Sequence, residues 1–304
     1  RGIRDGLDVR TIDGRQVGPT QDQHDRPRVR ATRIVARDPD QHVGVAVTVG
    51  IATLTMNRPD ARNALSLEMR GGMHTFLDEH ENDDSVRCVV IKGAGEHFMA
   101  GGDVKSFAHM AQEQEPDELR RHFLRRIHDL HGFISAMRRF PKPIVASVRG
   151  AAAGAGVSLA AACDLIISSE DAFFTLAYCH IGISPDGSAT YALPRMVGVK
   201  KAMEMVLLGD RLSAQDMADA GLVNMVVPDA DLDAETAKLA GRLAKGPTRA
   251  YGHAKRLMWS SVNNQLEHQL QLEAEAFADC AGGHDFREGV TAFVKKRRPE
   301  FIGS

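Results

Sequence analysis

The sequence predicts an α/β core over residues 32–230 followed by a helical region over residues 231–304. Three observations carry this reading. β-branched, alternating stretches (TRIVAR, VGVAVTV, IATLTMN) open the core, as half-buried strands do. Strand-like and helix-like stretches then alternate, which implies βαβ units and largely parallel pairing. Beyond about residue 197 the strand signals nearly stop while helical periodicity continues.

Taken in order, residues 1–31 are rich in Arg, Asp, Gln, Gly and Pro and have no apolar period. They lack the burial that would offset ordering entropy, so they are expected to be a flexible extension. The first strands form a hairpin or meander and end at Asn57-Arg58-Pro59. SLEMRGGMHTFLDEHEND follows with Leu67, Met73, Phe76 and Leu77 at helical spacing, and VRCVVIKG is a buried strand. A helix is expected within 117–139, a strand at PIVASV, a helix from about 155 and a strand at DLIISS. In SAQDMADAGLV, Ser213 is a plausible N-cap with Asp216 three residues on, and Gly221 a C-terminal stop. LDAETAKLAGRLAK, TRAYGHAKRLMWSS, NQLEHQLQLEAEAFADCA and DFREGVTAFVKK read as successive helices. No internal repeat is visible.

Composition narrows the function classes. With 38 basic and 40 acidic residues the formal net charge is -2, which gives no footprint for nucleic acid or an anionic membrane surface. The most apolar stretch, between Arg149 and Asp164, is Gly-rich and shorter than the roughly 20 residues of a membrane span. Cys88, Cys163, Cys179 and Cys280 form no CxxC and no metal-ligand spacing. No signal sequence opens the chain, so a cytoplasmic protein is expected, and no metal or redox cofactor is expected.

Two small-residue runs stand out. GAAAGAG, residues 150–156, follows PIVASV and opens a helix; MAGGD, residues 99–103, follows VRCVVIKG and precedes another. Small side chains let a ligand reach the free amides of such turns, where the helix dipole favours negative charge. Close helix packing is the competing explanation for either run alone. Neither has the P-loop or dinucleotide-binding glycine pattern.

The segments IATLTMNRPDARNALS, HFMAGGDVKSF, KPIVASVRGAAAGAGVSLAAACDLIISS, LPRMVG, LSAQDMADAGLVNMVV and DFREGVTAFVKKRRPEF, in this order and spacing, resemble the crotonase superfamily (enoyl-CoA hydratase/isomerase). The match runs from about residue 32 to the C-terminus. The resemblance implies a spiral of ββα units and a helical C-terminal region used in trimer or hexamer (dimer of trimers) assembly. It also implies an acyl-CoA substrate whose thioester carbonyl lies in a two-amide oxyanion hole, here the N–H groups of Gly102 and Ala155. CoA contacts carry over to Arg62, Ala64, Ala100 and Lys105, and to Lys295 or Lys296.

Family hydratases carry two glutamates, where this chain has Ser158 and Tyr178. Serine is not a base near neutral pH, and tyrosine, with a pKa of about 10, is mostly protonated there. The standard hydration mechanism is therefore in doubt. The candidate base is Asp186, in SPDGS, a position at which some family isomerases carry an acidic residue. An aspartate here is equally placed to cap the following helix. Double-bond isomerisation is the leading expectation. A hydratase with an atypical site, thioester hydrolysis, decarboxylation or ring chemistry, and a non-catalytic acyl-CoA binder remain alternatives. Tyr178, Cys179 and His180 read as pocket lining, and Asp164 as structural.

Overall fold

A central seven-stranded sheet runs in the order β1 (Arg33–Ile34), β2 (Val43–Thr48), β3 (Ile51–Met56), β4 (Cys88–Gly93), β5 (Ile144–Val148), β7 (Leu165–Ser169), β10 (Met225–Val227). The structure is a computed structural model that describes residues 41–304 and the backbone of β1. The extension read over residues 1–31 lies outside the described residues. β1, β2 and β3 pair antiparallel, as the meander pattern predicts, and from β3 to β10 all pairing is parallel.

β4 shows why VRCVVIKG carries no polar alternation. Val89 and Ile91 face the main core, whereas Cys88 and Val90 face a second core under the helix α8 (Leu232–Ala244). A strand covered on both faces reads as one apolar run.

A second sheet of three strands, β6 (Ala151–Ala153), β8 (Phe173–Thr175) and β9 (Leu212–Ser213), lies beyond the first. Three of the parallel strands, β4, β5 and β7, lead into it. β5 continues into β6 and β7 into β8, while the segment after β4 reaches β6 through a bridge between Met99 and Ala152. Helices close these ββ turns. They include α2 (Val104–Glu113), the long α3 (Pro116–Arg139) and α4 (Ala155–Ala162).

Each helix has a local cause. In α1 (Leu67–Glu81) the Ser66 hydroxyl caps the Met69 N–H at 3.1 Å, and Met69, Met73, Phe76 and Leu77 form the buried stripe. All eight residues of α4 are buried, so its alanines and glycine let neighbouring chains approach from every side. At Gly156 a Cβ would stand 2.4 Å from the Met99 carbonyl oxygen, a contact no side chain can make.

Two short helices, α5 (Ala189–Met196) and α6 (Gly198–Leu208), precede α7 (Ala214–Asp219). α7 carries the expected capping box between Ser213 and Asp216. β10 then adds an edge strand in the region where strand signals had almost ceased. It is only three residues long, too short for alternation to register. The chain ends in α9 (Thr248–Ser261), α10 (Leu266–Ala281) and α11 (His284–Val294).

Candidate active site

The site begins with a strap, residues 98–102, held on both sides by backbone hydrogen bonds. On one side Met99 receives the Ala153 N–H and donates to Ala151; on the other, Ala100 donates to Arg62 and Gly101 accepts from Leu65. Gly101 makes this possible. Its φ of +94° lies in the left-handed region, and a Cβ would stand 3.0 Å from the Ala153 carbonyl oxygen.

The next amide, that of Gly102, has no acceptor among the described residues. Neither has Ala155, the first residue of α4, whose N–H is one of the orphan donors at a helix start. Both residues line one cleft of about 210 Å³. Two unpaired donors on one mostly apolar cleft, one of them at the positive end of the α4 dipole, are the kind of groups that can receive a negatively charged oxygen.

Asp186 is the single carboxylate among the residues that line this cleft. Its Oδ1 accepts from the Tyr178 hydroxyl at 2.7 Å. Burial raises its pKa above the ordinary aspartate value, and the Tyr178 hydrogen bond, His131 and Arg126 partly oppose that rise. Burial and the neighbouring carboxylate push the Tyr178 phenol up as well, so it donates rather than serving as a base. The helix-cap alternative for Asp186 fails. The N-cap of α5 is Ser188, and only the Asp186 backbone carbonyl meets that helix, through the Ala189 N–H.

Ser158 stands behind the cleft wall. It is 1% exposed, does not line the cleft, and donates its hydroxyl to the Asp186 backbone carbonyl at 2.9 Å. One turn beyond Ala155 on α4, it fixes the loop that presents the carboxylate. His131 holds the next link, accepting the Gly187 N–H at 3.3 Å.

The other expected contacts separate. Ala100 lines the cleft, as do Tyr178 and His180. Cys179 does not and is exposed. Ala64 is buried beside the strap, and its carbonyl accepts from Arg58 at 2.7 Å. Arg62, Lys105, Lys295 and Lys296 are exposed and outside the cleft wall. Asp164 is structural as expected. It meets Lys255 of α9 at 2.8 Å and the Ile144 N–H at 2.8 Å.

Several supports escaped sequence reasoning. Asn63 is fully buried, donates to the carbonyls of Ala94 and His97, and accepts the Arg58 N–H. Arg58 pairs with Asp103 at 3.1 Å, while Asp103 caps α2 through the Ser106 N–H. The paired glycines before Asp103 were a signal for the strap, but nothing local pointed to Arg58, 45 residues away. Arg126 and His131 sit on α3 with spacing that reads as an ordinary amphipathic helix.

Fold and site together define an α/β protein with two unpaired backbone amides and one carboxylate lining a single cleft. Residues 47–304 match the model of the Enoyl-CoA hydratase/isomerase family. A Rhodobacter capsulatus protein named "Probable enoyl-CoA hydratase" is 36% identical over 84% of this chain and 96% of its own length. The 1,2-epoxyphenylacetyl-CoA isomerase of Escherichia coli (strain K12) is 37% identical over 84% of this chain and 97% of its own. The crystal structure of an enoyl-CoA hydratase from Polaromonas sp. JS666 superposes with a TM-score of 0.80 at 34% identity, covering 85% of this chain and 99% of that one. The chain belongs to the enoyl-CoA hydratase/isomerase family, the crotonase superfamily.

Among the described residues no helix is long and apolar enough to cross a membrane. No group of three or more His, Cys, Asp or Glu residues there is placed to hold a metal ion.

Proposed function

We propose that this chain isomerises the double bond of an enoyl-CoA thioester, with Asp186 as the base. The observation that carries this reading is the single carboxylate lining the cleft that holds the free Gly102 and Ala155 amides. The thioester oxygen takes both N–H groups. Asp186 removes a C2 proton from a 3-enoyl group, and the electron pair moves onto the carbonyl oxygen as a dienolate. The same carboxyl returns the proton at C4, leaving a 2,3 double bond. A buried carboxylate with a raised pKa suits both halves of that transfer. Hydration by two carboxylates is disfavoured because Ser158 and Tyr178 occupy the glutamate positions.

CoA reaches the cleft past Ala100, with Arg62 and Lys105 outside as partners for its phosphates, and with Lys295 or Lys296 supplied by the C-terminal region. No redox or metal cofactor enters the scheme. Assembly into a trimer, or a dimer of trimers, is part of the same proposal. Leu266, Leu270, Phe277, Val290 and Phe293 on α10 and α11 are exposed apolar side chains, more than a solvated helix pair needs.

Incubating the protein with 3-enoyl-, 2-enoyl- and aryl-CoA esters in deuterated water, followed by mass analysis, tests the reaction. Double-bond migration is expected, with deuterium entering only as far as the proton on Asp186 exchanges with solvent before its return. Water addition or CoA release in its place sinks the isomerase reading.

A further inference from the structure

Arg126 is not needed by the proton transfer, yet its side chain forms part of the cleft wall among Leu65, Phe107, Ile127 and Leu130. Its Nη2 donates to the Leu65 carbonyl at 3.1 Å, and the guanidinium lies 5.1 Å from the Phe107 ring centroid. No other acceptor meets it among the described residues, and no carboxylate there lies within 4.0 Å.

The nearby acids are already engaged. Asp103 pairs with Arg58, and Asp129 pairs with Arg70 at 3.1 Å. Arg70 adds a second guanidinium to the same wall. It is 4% exposed, donates to the Arg126 backbone carbonyl at 2.6 Å, and leaves its Nε buried without an acceptor. Burial lowers the pKa of both groups, as expected where water has been removed from a cation. Asp186 is their one carboxylate neighbour on the cleft, out of contact with Arg126, and its charge is committed to the proton transfer.

A plain hydrocarbon chain filling this cleft would strip water from Arg126 and offer nothing in return, which is costly for a charged group. A carboxylate would supply the missing acceptors in the planar, paired geometry that a guanidinium favours. We propose that Arg126 is a specificity residue that receives an anionic group on the substrate, and that the preferred substrates are CoA thioesters whose acyl chain ends in a carboxylate. This rests on reading the cleft as an acyl-CoA site. The same charge would also suit a phosphate of CoA itself, and the test separates the two sources.

The experiment compares kcat/KM for an enoyl thioester ending in a carboxylate with that for its methyl-ended analogue of equal length, each as the CoA and as the pantetheine ester. The wild-type chain is expected to favour the carboxylate by about 10–100-fold, in both the CoA and the pantetheine series, because the pantetheine esters lack the nucleotide phosphates. Arg126→Met should abolish the preference, and Arg126→Lys should retain part of it. The ratio cancels any effect of the substitution on Asp186, since both substrates use the same base. The wild-type ratio stands even where the Met variant folds poorly.

Equal kcat/KM for the two acyl chains in an active wild-type enzyme overturns the proposal. So does a Met variant that loses activity equally on both CoA esters while the pantetheine esters are unaffected, since that assigns Arg126 to a CoA phosphate. Failure of all four esters to bind, by calorimetry, rejects the acyl-CoA reading itself.

Discussion

Asp186 combines a cost to the fold with the proposed role of base. Its pKa is raised in the folded chain, so the folded state binds the proton more tightly than the unfolded state. The group therefore stabilises at low pH, and that contribution is lost as pH rises from the unfolded pKa through the higher folded one. At neutral pH the ionised carboxylate is destabilising, and Asp186→Asn should leave the melting temperature unchanged or higher. The same variant should lower turnover by about 10²–10⁴ while acyl-CoA affinity stays within a few-fold. A lower melting temperature with turnover intact would return Asp186 to a structural role. The acidic limb of kcat/KM should lie above the ordinary aspartate pKa of about 3.9. Tyr178→Phe removes a donor that favours the charged form and should move that limb to still higher pH. Complete loss of activity in Tyr178→Phe at every pH would instead place the phenol in the proton path.

At the scale of elements, the proposed oxyanion receptor depends on where α4 starts and on how the strap is tied beside it. Ala155 is the first residue of α4, a position that tolerates proline because its N–H has no intrahelical partner. Ala155→Pro thus deletes one donor, and turnover should fall by about 10²–10³. Ala155→Gly, which keeps the donor, should retain most activity. Circular dichroism must show the proline variant folded; normal turnover in a folded variant means that the receptor is elsewhere. α9 is attached differently, through the buried Lys255 ammonium and Asp164 carboxylate. Lys255→Met leaves that carboxylate unpaired and should destabilise by about 3–5 kcal/mol. Adding Asp164→Asn should recover part of the loss, since the amide oxygen can still accept the Ile144 N–H. Chemical denaturation of the single and double variants measures both changes.

For the whole molecule, the C-terminal helices present apolar side chains on their outer surfaces, whereas the central sheet is covered on both faces. Few residues of α10 and α11 are buried in the single chain: Ala276 in the first, Asp285 and Ala292 in the second. The end of the chain is held by polar contacts, with Asp285 accepting from the N–H groups of Ile302 and Gly303, each at 2.8 Å. Arg87 adds a bond to the Phe301 carbonyl at 2.8 Å. A platform anchored this way and left apolar outside is suited to subunit contact. Sedimentation at micromolar concentration should give the mass of three or six chains; a monomer there would reject the assembly.

The sequence by itself determined the order of β1 to β5 and β7 and of the helices among them, because their periodicities of two and about 3.6 are written in neighbouring residues; β6, β8, β9 and β10, two or three residues each, are too short to carry a period. It also marked the two turns that carry the free amides, because only small side chains fit where Met99 meets Gly156 and Gly101 meets Ala153. It separated Asp186 from the missing glutamates but left capping and catalysis equally open. Tertiary structure removed the cap, by placing Ser188 at the helix start, and brought Tyr178 against the carboxylate and Ser158 against the carbonyl behind it, which is what supports the proposal of Asp186 as base. It alone placed Arg126 on the cleft and Asn63 behind the strap. A residue's burial, its partners and the charge left unpaired beside it depend on segments distant in the chain, and no local pattern records those distances.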